Sequence, residues 1–168
     1  MSQTTHSLPV SDVRTPSRRR RPAEVGVAAF VLAAGFVVYG AYGDPHPKAN
    51  QESAVPFLIG VAAVVAAAVF AILVPKALRA IREERTTAAR WGLAHSVVAL
   101  VLTPMAFWSG LPLIVGAAGA WLGLRTREQR EAAGSPTGTA TAAVVVGGLA
   151  VALTLLVGVL GNTVLARS

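Results

Sequence analysis

From Val25 to Leu165 the chain passes through one long apolar stretch after another, and nearly all its basic residues fall in three short segments beside or between them. A membrane-crossing helix needs about 20 mostly apolar residues to traverse roughly 30 Å of hydrocarbon. The pattern therefore predicts an all-α integral membrane helical bundle. In soluble domains about a quarter of residues are charged; here 14% are charged and 54% hydrophobic over 168 residues, which leaves room for one bundle and no second domain.

The first predicted span is 24–43, free of charge after Glu24, with Tyr39 and Tyr42 at its far end as an interfacial aromatic belt. Pro45 and Pro47 stop it. The second is 53–74, with Pro56 in its first turn and Pro75-Lys76 at its exit. The stretch 91–124 would be about 50 Å long as one helix, too long for the bilayer core. Its middle, from Thr103 to Pro112, holds two prolines, Gly110 and Trp108, and reads as a turn at a membrane surface. Two short spans follow, 92–108 and 111–124. The last, 139–164, comes after the turn Gly134-Ser135-Pro136-Thr137-Gly138. Residues 23–168 thus form one transmembrane domain, and 1–22 a disordered basic tail.

Charge orients the spans. Arg14 and Arg18–Arg21 precede the first; Lys76, Arg79, Arg82, Arg85 and Arg90 lie between the second and third; Arg125, Arg127 and Arg130 follow the fourth. Five spans put these thirteen of the fifteen basic residues on one side, leaving Lys48 and Arg167 opposite. The positive-inside rule makes that side cytoplasmic, with the N-terminus inside and the C-terminus outside. The alternative, four spans with a re-entrant hairpin over 91–124, also keeps 125–138 inside, so charge does not separate the two. The segment after Arg21 lacks the apolar residues of a twin-arginine signal, and Ala41-Tyr42-Gly43, which could pass as a signal cleavage site, follows an apolar run long for a signal peptide.

The net charge of +7 lies beside apolar spans, with no basic stripe interleaved with aromatics, which points to an anionic inner leaflet and not to nucleic acid. The loop Lys76–Arg90 reads as a polar helix resuming after Pro75, with Arg79 and Glu83 one turn apart. The chain has no cysteine, which excludes thiolate chemistry. The heavy use of Ala, Val and Arg, with only Lys48 and Lys76 as lysines, fits a GC-rich bacterial genome.

His95 is the one ionisable side chain well inside an apolar run, and such a residue invites a functional reading. It stands only four residues from Trp91, near the inner surface, where a neutral imidazole needs no more than a hydrogen-bond partner. Asp44, His46 and Glu52 share the outer loop but lack a second histidine to complete a metal shell. No metalloprotease, hydrolase or phosphate-loop motif is present, and no span carries paired carboxylates, so neither enzyme nor cofactor is expected.

Small residues say more about packing. Gly119 and Gly123 form a G-x-x-x-G, Ala63, Ala67 and Ala71 a second stripe, and Gly147, Gly148, Gly158 and Gly161 a third surface. Such stripes let helix backbones approach closely where lipid offers no hydrophobic drive. Trp91, Trp108 and Trp121 stand near span ends as interfacial anchors.

The apolar run ending Gly119-Ala120-Trp121-Leu122-Gly123-Leu124-Arg125, its short Arg/Glu loop, and Gly138-Thr139-Ala140-Thr141-Ala142 leading to Gly147-Gly148 resemble paired-span units of small multi-span membrane proteins of actinobacteria. The leading hairpin, with Tyr42-Gly43-Asp44-Pro45-His46-Pro47 before Val55-Pro56-Phe57, is similar to theirs. The resemblance implies a multi-span fold and no activity.

The expectation is a non-enzymatic accessory, scaffolding or regulatory subunit of the bacterial cytoplasmic membrane, packing on itself or on another membrane protein. The second reading is a small oligomeric permease or channel with Ser96, Thr103, Thr154 and His95 facing its pore. An enzyme ranks third and would need a cluster around His95 or His46.

Overall fold

Pro22 begins the first helix where a missing N–H costs nothing, since the first turn has no main-chain acceptor to use. The computed structural model describes residues 21–43, 51–83 and 87–164. The basic tail up to Arg20, the Asp44–His46 loop, Lys48, Arg85 and Arg167 lie outside the described residues, as do the side chains of Glu52, Arg82 and Glu83. The described elements are α1 (Pro22–Tyr42), α2 (Gln51–Ala67), a π-helical stretch (Ala68–Leu73), α3 (Val74–Glu83), α4 (Thr87–Ala106), a 3-10 turn (Phe107–Ser109), α5 (Leu111–Ala132) and α6 (Gly138–Val164). There is no strand among them.

The protein is an all-α bundle. Among the described residues four stretches, Pro22–Tyr42, Ser53–Arg79, Ala89–Ser109 and Gly138–Gly161, are long and apolar enough to cross a membrane. Their outward residues are as apolar as their inward ones: Phe57 and Met105 are exposed by 71% and 74%. Helices apolar all round suit lipid and not water, so the bundle is membrane-embedded.

The second helix does not stop at Pro75. It runs on through the π stretch into α3, and Pro56 stands inside it, one turn further in than its placing at the span start implied. Proline cannot donate to the carbonyl four residues back, Ala71, and its ring crowds that carbonyl. The wider π turn just upstream, in which Val74 N–H bonds the Val69 carbonyl, takes up the mismatch without breaking the helix.

Pro104 likewise sits inside α4, whose regular turns end at Ala106. The reversal to α5 is made by the 3-10 turn and by Gly110, at φ +69°. Its polar groups are satisfied locally. Ser109 Oγ donates to the Ala106 carbonyl at 2.6 Å and accepts from Leu111 N–H at 3.3 Å, while Gly110 N–H bonds the Phe107 carbonyl.

Neighbouring contacts fix the course of the chain. Gly26 meets Phe70, while Val37 and Ala41 pack with Val55, so α2 returns along α1. Gly92 lies against Gly119 and Gly123, and Gly116 against Ala99, so α5 returns along α4. Gly123 meets Ala140 and Gly116 meets Gly147, so α6 runs back along α5. The segments bearing Arg21, Lys76 and Arg79, Arg90, and Arg125 to Arg130 therefore share one end of the bundle.

The α4–α5 turn, however, is not level with the far ends of α1 and α6. A Cβ on Gly110 would touch Ala33 at 3.0 Å, and Ala33 is mid-way along α1. From there α1 continues nine residues to Tyr42, about 14 Å. The turn expected at a membrane surface lies beside the middle of α1. α5 also extends past Leu124 to Ala132, so only its first part is apolar.

Candidate functional site

The tightest region is where α4, α5 and α6 meet. Gly119 faces Ser96, whose main-chain nitrogen is 2.7 Å from where a Cβ on Gly119 would lie. A Cβ on Gly123 would fall 2.8 Å from the Ala140 carbonyl oxygen and Ala143 Cβ, and one on Gly147 would fall 2.7 Å from the Gly116 carbonyl oxygen. Only glycine permits backbones this close. Gly119 thus faces α4 and Gly123 faces α6, so the G-x-x-x-G pair is used within this chain.

Ser96 is buried at this junction. Its hydroxyl lies 2.8 Å from the Ala143 carbonyl on α6 and 3.0 Å from the Gly92 carbonyl one turn back. It has one proton to give, so the two carbonyls share it. Seven residues on, Thr103 and Thr154 face each other at 3.3 Å. Thr103 donates to the Ala99 carbonyl at 2.9 Å, and Thr154 to the Ala150 carbonyl at 2.7 Å. Three of the four groups suggested for a pore are thus on an internal face, closed onto main-chain carbonyls and packed against glycine and alanine. Among the described residues no buried side-chain polar atom lacks a partner.

His95 is not with them. It is partly exposed, its Nδ1 lies 2.8 Å from the Trp91 carbonyl, and its ring leans on the Trp91 indole at 6.0 Å between centroids. Tyr39, Tyr42, Trp91 and Trp108 are exposed on the outer surface. Trp121 departs from its expected place as an interfacial anchor: it is buried among Phe70, Val74 and Leu122, and Arg125 stacks over its ring at 5.4 Å. Beyond it Arg125 pairs with Glu128 and Arg127 with Glu131. Among the described residues no group of three His, Asp or Glu side chains could hold a metal ion.

Among the described residues two grooves lie outside this junction. One, of about 310 Å³, runs between α1 and α2 and is lined only by alanine, glycine, valine and phenylalanine. Ala63 and Ala67 of α2 and Ala71 of the π stretch form one wall, all three exposed. The other, of about 390 Å³, lies between α1 and α6 and is bordered by Phe36, Tyr39, Leu155 and Val159. On α6, Gly147 and Gly158 face inward, whereas Gly148 has nothing within 4 Å of its missing Cβ and, with Ala152, faces outward. Gly92 and Ala143 are junction residues not singled out in the sequence; the Gly92–Ser96 spacing of four was their one visible signal.

Protein-family models, characterised proteins and solved structures offer no match for this chain.

Proposed function

We propose that the protein is a non-enzymatic accessory or scaffolding subunit that acts by helix packing in a bacterial cytoplasmic membrane. Its basic end faces an anionic inner leaflet, with the N-terminus inside and the C-terminus outside, as the positive-inside rule places them. One observation carries this reading: Gly148 lies in the open on an apolar helix, next to Gly147, which is packed against main chain. A glycine costs helix stability. At Gly147 close packing inside the bundle explains it; at Gly148, four residues from Ala152, nothing inside the bundle does. Close approach by a helix from another chain, or from a second copy, would explain it.

The permease reading has less support, since Ser96, Thr103 and Thr154 are turned onto carbonyls and not onto a passage. The re-entrant form of the 91–124 hairpin is favoured over two full spans. Its turn lies beside Ala33 and keeps its polar groups satisfied within the protein, as a turn at membrane depth must.

The test is purification in mild detergent, with mass spectrometry of co-purifying proteins and a native mass. A stoichiometric membrane protein, or a homo-oligomer, that is lost on Gly148→Leu while the fold persists supports the reading. A monomer without partners, or an assembly indifferent to that change, sinks it.

A further inference from the structure

We infer that the groove between α1 and α2 is a seat for one anionic phospholipid, with an acyl chain in the groove and the phosphate at its mouth beside Arg21 and Arg79. The assignment goes beyond the helix-packing reading, because it concerns a different face from Gly148 and Ala152.

The groove accepts only an apolar occupant. Its walls are Ala23, Gly26 and Val27 on α1, and Ala63 and Ala67 on α2 with Ala71 on the π stretch that continues it. None offers a hydrogen bond, so a polar ligand would lose its hydration without return. The floor is firm: Phe70 and Ala66 are buried, and Phe70 lies so close to Gly26 that a Cβ there would stand 2.8 Å from Phe70 Cβ. A slot with small side chains on both walls and an aromatic floor fits a flexible polymethylene chain.

The mouth supplies the complementary charge. Ala63, Ala67 and Ala71 lie on the helix that runs from Gln51 through the π stretch to Glu83, and Arg79, two turns beyond Ala71, is exposed at its basic end. Helical side chains lean towards the N-terminus, which carries the Arg79 guanidinium back towards Ala71 and the opening. On the facing wall Arg21 is the N-cap of α1, two residues before Ala23. Neither Arg21 nor Arg79 takes part in an ion pair among the described residues. The acid on the α1 side, Glu24, is turned back on the Arg21 main-chain N–H at 3.4 Å. The positive end of the α1 dipole points the same way. In sequence Arg18, Arg19 and Arg20 lead directly into Arg21.

An apolar slot opening on two arginines at the basic end of a membrane bundle matches a molecule with a chain and an anionic head. A zwitterionic lipid offers the same chain but brings its own cation to the two arginines.

The experiment uses the full chain, delipidated in detergent and titrated with phosphatidylglycerol or phosphatidylcholine, with bound lipid counted by native mass spectrometry. The first phosphatidylglycerol should bind about tenfold tighter than the first phosphatidylcholine, in keeping with two basic groups near the phosphate. Arg21→Gln with Arg79→Gln should abolish that preference and leave phosphatidylcholine binding as it was. Ala67→Phe, at an exposed position where the added ring fills the groove without disturbing the core, should remove the first-bound lipid of either kind; Ala152→Phe on α6 should not. Equal binding of the two lipids by the unmodified protein, a preference that survives the arginine changes, or full phosphatidylglycerol affinity in Ala67→Phe would each overturn the assignment.

Discussion

The hydroxyl of Ser96 reaches the main-chain carbonyl of Ala143 at 2.8 Å, and it does so because Gly119 and Gly147 let α5 and α6 close on α4 at that level. The hydrogen bond is the smaller part of that arrangement. Interhelical hydrogen bonds in membranes average about 0.6 kcal/mol, and the Ala143 carbonyl belongs to a helix. Ser96→Ala is therefore expected to lower stability by about 0.6 kcal/mol, and Ser96→Val by several times more, because it adds atoms where Gly119 and Gly147 leave no room. Unfolding of the purified protein in detergent distinguishes the two, and an equal loss for both would show that the hydrogen bond dominates.

The glycines themselves separate inward from outward faces. At Gly119 an added methyl meets the main chain of Ser96, which cannot step aside as a side chain could. Gly119→Ala should cost about 1–3 kcal/mol, the usual range for overpacking. Gly148→Ala adds its methyl to open space and removes a flexible residue from a helix, so it should be neutral or stabilise by up to about 1 kcal/mol. If both substitutions destabilised alike, the three-helix junction would not be the tight region of the bundle.

Gly110 meets two separate constraints. Its φ of +69° is one that a residue with a Cβ adopts at a cost of roughly 1–2 kcal/mol, and that Cβ would press on Ala33 at 3.0 Å. Gly110→Ala is expected to lower stability by more than Gly134→Ala. Gly134 also has a positive φ, of 62°, but has nothing within 4 Å of its missing Cβ. Comparing the two melting temperatures isolates the contact with Ala33 from the backbone term.

Much of this bundle was legible in the sequence. Length and hydropathy suffice for helices that must satisfy their own main chain, and α6 from Gly138 to Val164 lies within one residue of its expected start. The prolines were harder to read. Pro75 and Pro104 looked like helix ends, yet a π stretch takes up the mismatch before Pro75, and Pro104 sits, exposed, within the last turn of α4. Spacing revealed that Gly119 and Gly123 allow close approach, but not that each serves a different neighbour. Trp121 illustrates a further limit. Its place beside Arg125 suggested a membrane interface, whereas it is buried in the core cluster that also holds Phe70 and Val74.

The depth of the α4–α5 turn can be read directly, since the chain has no cysteine of its own. Single cysteines at Ala133, Tyr42 and Thr163 mark the connection before α6, the end of α1 and the end of α6. With the basic end cytoplasmic, a membrane-impermeant maleimide should modify Ala133→Cys only from the inside, and Tyr42→Cys and Thr163→Cys only from the outside. The informative position is Trp108→Cys. Trp108 is exposed to the bundle's surroundings, so a turn at the outer surface would react as readily as Tyr42→Cys. On the re-entrant reading, a turn beside Ala33 lies about 14 Å short of that surface, within hydrocarbon, where the reagent does not reach. Resistance from both sides in intact membranes, with reaction restored in detergent, is the expected result. Rapid labelling from outside would make 92–108 and 111–124 two full spans.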